Sequence, residues 1–378
     1  MVVEAEISKE ERACLVALSQ VTHVGPVRLG RLREYFGSLD AAWRAGERDL
    51  RQILDERALR AVLTARASVE PELVLDRIAK SGAGIVTVLD DAYPRILREI
   101  PSPPPVLYYR GTLPDADERS IAIVGTRRAT SYGREVTSRL ASELAAAGIG
   151  IVSGLAKGID GVAHRAALDA GGRTFAVLGS GVDVIYPHEH RQLAERTVES
   201  GALISDYPPG TRPDAPNFPP RNRIISGLSL ATVVVEAPAR SGALITVGFA
   251  ADQGRDVYAV PGSILSPASD GTNRLLRQGA LPLTSATDLL EDLNLAPPGA
   301  APAAQLEFPM TDDERAMYAR VTSEPQHIDE LAYSAGLSIA AASALMTMLE
   351  LKGLVANAGG QHFMSTAVRP KSTRQLPS

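Results

Sequence analysis

Between residues 120 and 260, short runs of β-branched residues alternate with stretches of helical periodicity, and this alternation restricts the fold more than any other feature. The runs are Ser120–Val124, Gly150–Ser153, Phe175–Leu178, Ala202–Ser205, Thr232–Val235 and Val257–Val260. Each is almost continuously apolar, as strands covered on both faces must be. The intervening stretch 131–147 puts Leu140, Leu144 and Ala147 on one helical face, and 242–253 is a second such helix. The pattern predicts an α/β fold with a Rossmann-like, doubly wound, mostly parallel sheet. Ile85–Val88 and Val106–Tyr109 come just before it and are expected as edge strands, so the domain spans 82–292.

The flanks read differently. A length of 378 residues fits two or three domains. Residues 8–75 read as a small helical N-terminal domain, with Leu15, Leu18, Val21 and Val24, then Leu29, Leu32, Tyr35 and Phe36, at helical spacing. The stretch Val21-Thr-His-Val-Gly-Pro-Val-Arg-Leu-Gly fits a helix-hairpin-helix turned toward DNA phosphate. It fits a plain helix-turn-helix packing unit equally well. Residues 293–309 form a Pro/Ala-rich linker whose only charge is Glu307. Beyond it, 310–366 reads as a winged helix: Ile328–Ala335, Gly336 as the turn, Ser338 as N-cap, Ala341–Lys352, Gly353 as C-cap, then a hairpin wing. The tail 367–378 is expected to be disordered.

Composition removes several function classes. No apolar run approaches the roughly 18–20 residues needed to cross a bilayer, so no membrane span is expected. The polar start MVVEAEISKEER is unlike a signal or transit peptide, and a cytoplasmic location is the expectation. A single cysteine, Cys14, excludes an intrachain disulfide and a cysteine zinc cluster. The chain is acidic overall at −5, yet residues 119–285 carry 17 basic and 14 acidic side chains, a net of +3. A polyanion responds to that local field rather than to the total.

In an open parallel sheet, ligands bind beyond the C-terminal ends of the strands. Here those ends read Gly125-Thr-Arg-Arg, Ser153-Gly-Leu-Ala-Lys-Gly-Ile-Asp, Gly179-Ser-Gly, Asp206-Tyr-Pro-Pro-Gly and Glu236-Ala. Glycine and small hydroxyls let backbone N–H groups reach a phosphate, and Arg127, Arg128 and Lys157 add charge-assisted bonds. Phe218-Pro-Pro-Arg-Asn-Arg opens a helix at Ile224–Leu228. Arg221, Asn222 and Arg223 then flank its N-terminus as a further anion site, and Phe218 offers a face for a base or a place in the core. Asp160 and His164 read as structural, Asp160 as a helix cap. His188 and His190 lack a carboxylate of clear geometry, so no metal is expected. Nor is a catalytic residue or a cofactor: the chain has no Walker A motif, no GxGxxG after the first strand and no Gly-x-Ser-x-Gly elbow.

At these residues the chain resembles the DNA-processing protein A (DprA, or Smf) family. The resemblance rests on Val124-Gly-Thr-Arg, Ser153-Gly-Leu-Ala-Lys-Gly-Ile-Asp-Gly-Val-Ala-His, Phe218-Pro-Pro-Arg-Asn-Arg-Ile-Ile-Ser-Gly-Leu-Ser, Glu236-Ala-Pro-Ala-Arg-Ser-Gly-Ala-Leu-Ile-Thr, Ala259-Val-Pro-Gly and Gly271-Thr-Asn, in family order over about 84–285. It implies a non-enzymatic, single-stranded-DNA-binding recombination mediator that protects incoming strands and loads the RecA recombinase during natural transformation. It also implies a homodimer formed through the Rossmann-like domain. Carried over by motif, Gly125, Thr126, Arg127, Ser153, Gly154, Lys157, Arg221, Asn222 and Arg223 line a basic DNA pocket, with Arg128, His188 and Phe218 expected beside them. Asp206 stands where the family usually has Glu. His188 stands where a basic residue is common, which weakens any phosphate contact at neutral pH.

Two other classes compete. A nucleotide-processing enzyme such as a phosphoribohydrolase shares this kind of sheet but carries Pro-Gly-Gly-x-Gly-Thr after a late strand, where this chain has Ala237-Pro-Ala-Arg-Ser-Gly. A duplex-binding regulator would use the winged helix, yet 338–350 contains no Lys or Arg, so this domain is expected to dock on protein.

Overall fold

In the computed structural model the six apolar runs pair as one sheet. The structure describes residues 7–115, 119–295, 310–322, 324–352 and 354–365. Among these, nine strands form the main sheet: β1 (Gly84–Thr87), β2 (Val106–Gly111), β3 (Ser120–Val124), β4 (Gly150–Ser153), β5 (Thr174–Val177), β6 (Ala202–Ser205), β7 (Ala231–Val234), β8 (Asp256–Ala259) and β9 (Leu281–Pro282). Their order is β1-β2-β6-β5-β4-β3-β7-β8-β9. All pairs from β6 to β9 are parallel, whereas β1 and β2 join antiparallel at one edge. The chain leaves β3 for β4 on one side and later returns to β7 on the other. The switch point of this doubly wound sheet therefore lies between β3 and β7.

Alternation along β3 shows how the sheet is held. Ile121 and Ile123 enter one apolar layer with Leu140, Leu144 and Ala163 from helices Ser131–Ala146 and Ile159–Asp169. Ala122 and Val124 enter the opposite layer with Ile224 and Ile225 of helix Phe218–Gly227 and Ala243 of helix Ala243–Asp252. Residues one apart point to opposite faces of a strand, so a sheet clothed on both sides needs this unbroken apolar run. Each fully buried Ile, Leu or Val stabilises the fold by roughly 1.5–3 kcal/mol.

The chain divides into two compact units between Ala296 and Pro297. The helical stretch expected over 8–75 runs on to Lys80 and lies within the first unit. Leu15, Leu18, Leu32 and Leu59 share one core with Tyr108 of β2 and with Leu178 and Leu203. Its first two helices, Lys9–Ser19 and Pro26–Phe36, are joined by a turn in which His23 adopts φ +70°. The second unit has its own core around Met317, Leu331, Met346, Leu349 and Phe363. It contains helices Asp312–Tyr318, Ile328–Ala335 and Ile339–Leu351 and a small sheet of β10 (Gln326–His327), β11 (Val355–Gly359) and β12 (His362–Ser365). Gly336 takes the left-handed conformation at the expected turn, and Ser338 accepts the N–H of Ala341 as the expected N-cap. The linker from 296 on, Gly353 and the tail lie outside the described residues. Among the described residues, no single helix is long and apolar enough to cross a membrane.

One helix departs from expectation in a way that bears on function. The helix placed at Ile224–Leu228 begins six residues earlier, at Phe218. Pro219 and Pro220 sit in its first turn, where a missing N–H leaves no helical bond unmade and a fixed φ favours the start. Arg221, Asn222 and Arg223 therefore lie inside the helix, on different faces, rather than together ahead of it.

Candidate nucleic-acid interface

A cleft of about 660 Å³ opens at the switch point. It is lined by the loop after β3 (Val124–Arg128), by Ala156 and Asp160 after β4, by Tyr186, by Phe218, Arg221 and Asn222, and by Pro238 and 240–243 after β7. Four arginines (Arg127, Arg128, Arg221 and Arg240) and one carboxylate (Asp160) face it.

The loop after β3 is held by its neighbours through backbone contacts. Thr126 N–H donates to the Glu236 carbonyl at 2.7 Å, and the Thr126 carbonyl accepts from Ile159 N–H at 3.2 Å. A Cβ on Gly125 would lie 2.5 Å from Ile159 Cγ1 and 2.9 Å from the Glu236 oxygen, so the chain passes there only as glycine. The buried Glu236 carboxylate accepts from Thr130 N–H (2.9 Å) and Thr130 Oγ1 (2.5 Å), and Thr130 Oγ1 in turn accepts from Gly133 N–H to cap the next helix. This clamp presents Arg127 and Arg128 at the loop tip. Both are exposed, and neither has a carboxylate partner among the described residues.

Beneath them sit two buried, oppositely charged side chains, Arg221 and Asp160, each bonded to the backbone of the Gly154 loop rather than to the other. Arg221 is only 4% exposed, and its Nη1 donates to the Gly154 carbonyl at 3.0 Å. Asp160 accepts from the N–H groups of Gly154 (3.1 Å) and Ala156 (3.4 Å). It therefore closes the loop before its helix rather than capping that helix, as the sequence reading expects. Loss of water pushes the Asp160 carboxyl up, against the pull of Arg221 and these amides. Burial likewise draws the Arg221 guanidinium down to about 10, where it remains charged at neutral pH. For both groups loss of water outweighs their mutual attraction. Arg221 Nε has no hydrogen-bond partner among the described residues.

The loop carrying Gly154 is pinned from below. Leu155 adopts φ +56°, unusual for a branched residue. Its N–H donates to His164 Nε2 at 3.3 Å, and its carbonyl faces His190 Nδ1 at 2.9 Å. The His164 Nδ1 is 2.7 Å from Thr174 Oγ1, and burial pulls its titration down to about 3, so this ring is neutral and structural.

Of the residues expected in the pocket, Gly125, Thr126, Arg127, Arg128, Phe218, Arg221 and Asn222 come together around the cleft. Ser153 and Gly154 lie beneath it. Ser153 Oγ donates to the Ile123 carbonyl at 2.6 Å, and a Cβ on Gly154 would lie 2.8 Å from both Arg221 Nη2 and Asp160 Oδ2. Three others do not line it. Lys157 points outward to Glu189 (2.7 Å), with both side chains more than half exposed. His188 lines a second cleft with Arg110, Asp183 and Arg191. Arg223 turns inward to Asp206 (2.8 Å), whose carboxyl burial pushes up while Arg223 pulls it down. The sequence reading assigned no role to Arg240 or Tyr186. Arg240 sits in the quoted Glu236-Ala-Pro-Ala-Arg-Ser-Gly stretch, and its place just past the strand bordering the switch point was the available signal. Among the described residues, no three His, Cys, Asp or Glu side chains gather as metal ligands.

Comparison with known proteins bears on the family and the fold. Residues 84–294 match the family model described as DNA recombination-mediator protein A, and residues 297–361 match the DprA winged helix domain. The chain is 36% identical to the protein Smf of a Synechocystis species, over 94% of this chain and 99% of that one. It is 43% identical to the DNA processing protein DprA of Bacillus subtilis, over 58% of this chain and 74% of that one. The crystal structure of DprA from Streptococcus pneumoniae superposes with a TM-score of 0.65 at 33% identity, covering 76% of this chain and 99% of that one. A structure of the Helicobacter pylori protein, described for its single-stranded DNA binding mode, matches with a TM-score of 0.50 at 28% identity, over 56% of this chain and 95% of that one.

Proposed function

The chain belongs to the DNA recombination-mediator protein A family, and from that premise we propose that it binds single-stranded DNA in the switch-point cleft as a recombination mediator. The observation that carries the reading is Arg221 at the cleft floor, 4% exposed with its Nε unpartnered among the described residues, and Arg127, Arg128 and Arg240 around it. An anion entering there meets one guanidinium that the fold has already desolvated and three exposed ones around it. A run of phosphates satisfies several such donors at once. The name of the Helicobacter pylori relative supports a single strand as the ligand. On this reading the protein acts by binding, without making or breaking covalent bonds. It protects incoming strands and loads a RecA-type recombinase in natural transformation, as a homodimer joined through the sheet domain.

Binding of a labelled oligo-dT across a salt series tests this. Each phosphate neutralised contributes roughly −0.7 to the log–log slope for a single strand, so four arginines predict a slope near about −3. Arg127→Ala is expected to weaken binding by about 1–3 kcal/mol and to flatten the slope by about 0.7. An unchanged affinity with the fold intact would remove Arg127 from the interface. Absence of binding at low salt, together with release of free base from a nucleotide, would replace the reading with nucleotide-processing chemistry.

The winged helix is proposed to dock on protein. Helix Ile339–Leu351 carries no basic residue, and Ile339 and Met348 are exposed on it, with Tyr333 and Leu337 beside its start. The cations of this unit among the described residues are engaged internally: Lys352 with the buried Glu314, Arg315 with Asp312, and Arg320 with the Ser334 carbonyl. Fragment 305–378, which has its own core, is expected not to shift duplex DNA in a gel at physiological salt. A shift there would overturn this assignment.

A further inference from the structure

We propose that His164 and His190 are positioning residues for strand binding: by gripping both polar groups of Leu155, they hold the turn that sets Arg221 in the cleft floor. The inference rests on the single-strand reading above and names what fixes its buried cation.

The two rings come from separate elements, His164 from helix Ile159–Asp169 and His190 from the short turn His188–His190. Both are buried. Their partners decide where their protons sit. Thr174 Oγ1 gives its one proton to the Ile151 carbonyl at 2.7 Å, so it can only accept from His164 Nδ1. His164 Nε2 is therefore a bare acceptor, and it receives the Leu155 N–H. A carbonyl only accepts, so His190 Nδ1 carries a proton and donates it to the Leu155 carbonyl. The far edge of the His190 ring packs on Gly161, where a Cβ would lie 2.7 Å from Cε1. The ring has no room to turn away.

Leu155 needs that grip. Its φ of +56° is disfavoured for a branched side chain. Glycine would adopt it freely, but the Leu155 side chain is fully buried and shares a core with Leu178, Val182 and Leu193. The left-handed turn sends that side chain into the core while the preceding carbonyl, that of Gly154, accepts from Arg221 Nη1 at 3.0 Å. Among the described residues this is the guanidinium's one hydrogen-bond acceptor. Were Leu155 to relax to a negative φ, the peptide plane before it would rotate and carry this acceptor off Arg221.

Oligo-dT titration across a salt series compares the parent with His164→Phe and His190→Phe, which keep a ring but remove the polar contact. His164→Gln and His190→Asn are the conservative counterparts, since glutamine places its amide oxygen near Nε2 and asparagine its amide nitrogen near Nδ1. The Phe variants should bind about 10- to 100-fold more weakly, the loss of one charge-assisted contact, with a log–log slope flatter by about 0.7. The Gln and Asn variants should bind near the parent. A loss transmitted through Arg221 vanishes where that arginine is already gone. Adding His190→Phe to Arg221→Met should therefore weaken binding no further, whereas adding it to Arg127→Ala should multiply the two losses. Parent-like affinity and slope in both Phe variants overturn the proposal. So does a loss that leaves the slope unchanged or persists undiminished beside Arg221→Met, because general loosening of the fold would give that result. Thermal melts establish which variants are folded, and with two positions on different elements one misfolded variant does not end the test. If the parent binds no oligo-dT at low salt, the single-strand reading itself fails and this proposal with it, an outcome visible without any variant.

Discussion

Arg221→Met is expected to lower single-strand affinity by more than 100-fold and unfolding free energy by about 3–5 kcal/mol, the largest pair of effects that one substitution in the cleft should produce. The two losses have separate origins. Affinity falls because the guanidinium at the cleft floor is the donor whose water has already been removed, so a phosphate binding there gains a strong contact at little further desolvation cost. Stability falls because Asp160, itself buried, loses the positive charge that offsets its desolvation, and the Gly154 carbonyl loses its Nη1 donor. A second substitution separates them. Adding Asp160→Asn removes the stranded carboxylate and should recover a large part of the stability, while affinity stays low because no cation returns. Urea unfolding and oligo-dT titration of the single and double variants provide the check. Recovery of DNA binding in the double variant, or undiminished binding in Arg221→Met, would show that this arginine is not a phosphate donor.

The doubly wound sheet was readable in advance because its strands are short β-branched runs with an unbroken apolar character that only a two-sided sheet explains. Three of six strands begin one residue earlier than the pattern suggests, at Thr174, Ala231 and Asp256. Thr174 and Asp256 are polar, and a polar residue is tolerated at a strand start where the chain leaves a loop. The cleft was readable in outline, since glycine-rich strand ends mark it, but side-chain direction was not. Lys157 belongs to the same glycine-rich loop as Gly154, yet the left-handed turn at Leu155, pinned by two histidines, sends it outward to Glu189. Arg221 and Arg223 stand two residues apart, and the early start of their helix puts one beneath the cleft and the other against Asp206. Residues at that spacing on a helix point about 200° apart, so only one can serve the site. Reading Phe-Pro-Pro as a helix opening, rather than as a loop end, would have predicted this split. Tyr186 and Arg240 were missed because each lies on a different loop from the arginines it joins.

The second large effect is expected at a residue with no side chain. Gly158 adopts φ +77° and ψ −129°, and a Cβ there would lie 2.3 Å from the Thr126 carbonyl oxygen, 2.7 Å from Arg127 C and 2.8 Å from Arg127 Cα. All three atoms are backbone, so no rotamer change relieves the clash. Either the loop after β3 moves, breaking the 3.2 Å bond from Ile159 N–H to Thr126 O, or the start of helix Ile159–Asp169 does. Gly158→Ala should therefore cost about 2–4 kcal/mol of stability from strain and overpacking together. It should also weaken oligo-dT binding at least tenfold, because Arg127 and Arg128 ride on the displaced loop. Gly171→Ala separates the two contributions. Gly171 also has a positive φ, +75°, but a Cβ there would meet nothing within 4 Å. It should lose only about 1 kcal/mol and bind DNA as the parent does. If Gly158→Ala binds single strands with the parent's affinity and salt slope, close packing of these two loops is not what sets the arginines in place. If it loses binding while Gly171→Ala does not, the backbone contact at Thr126 is what aims them into the cleft.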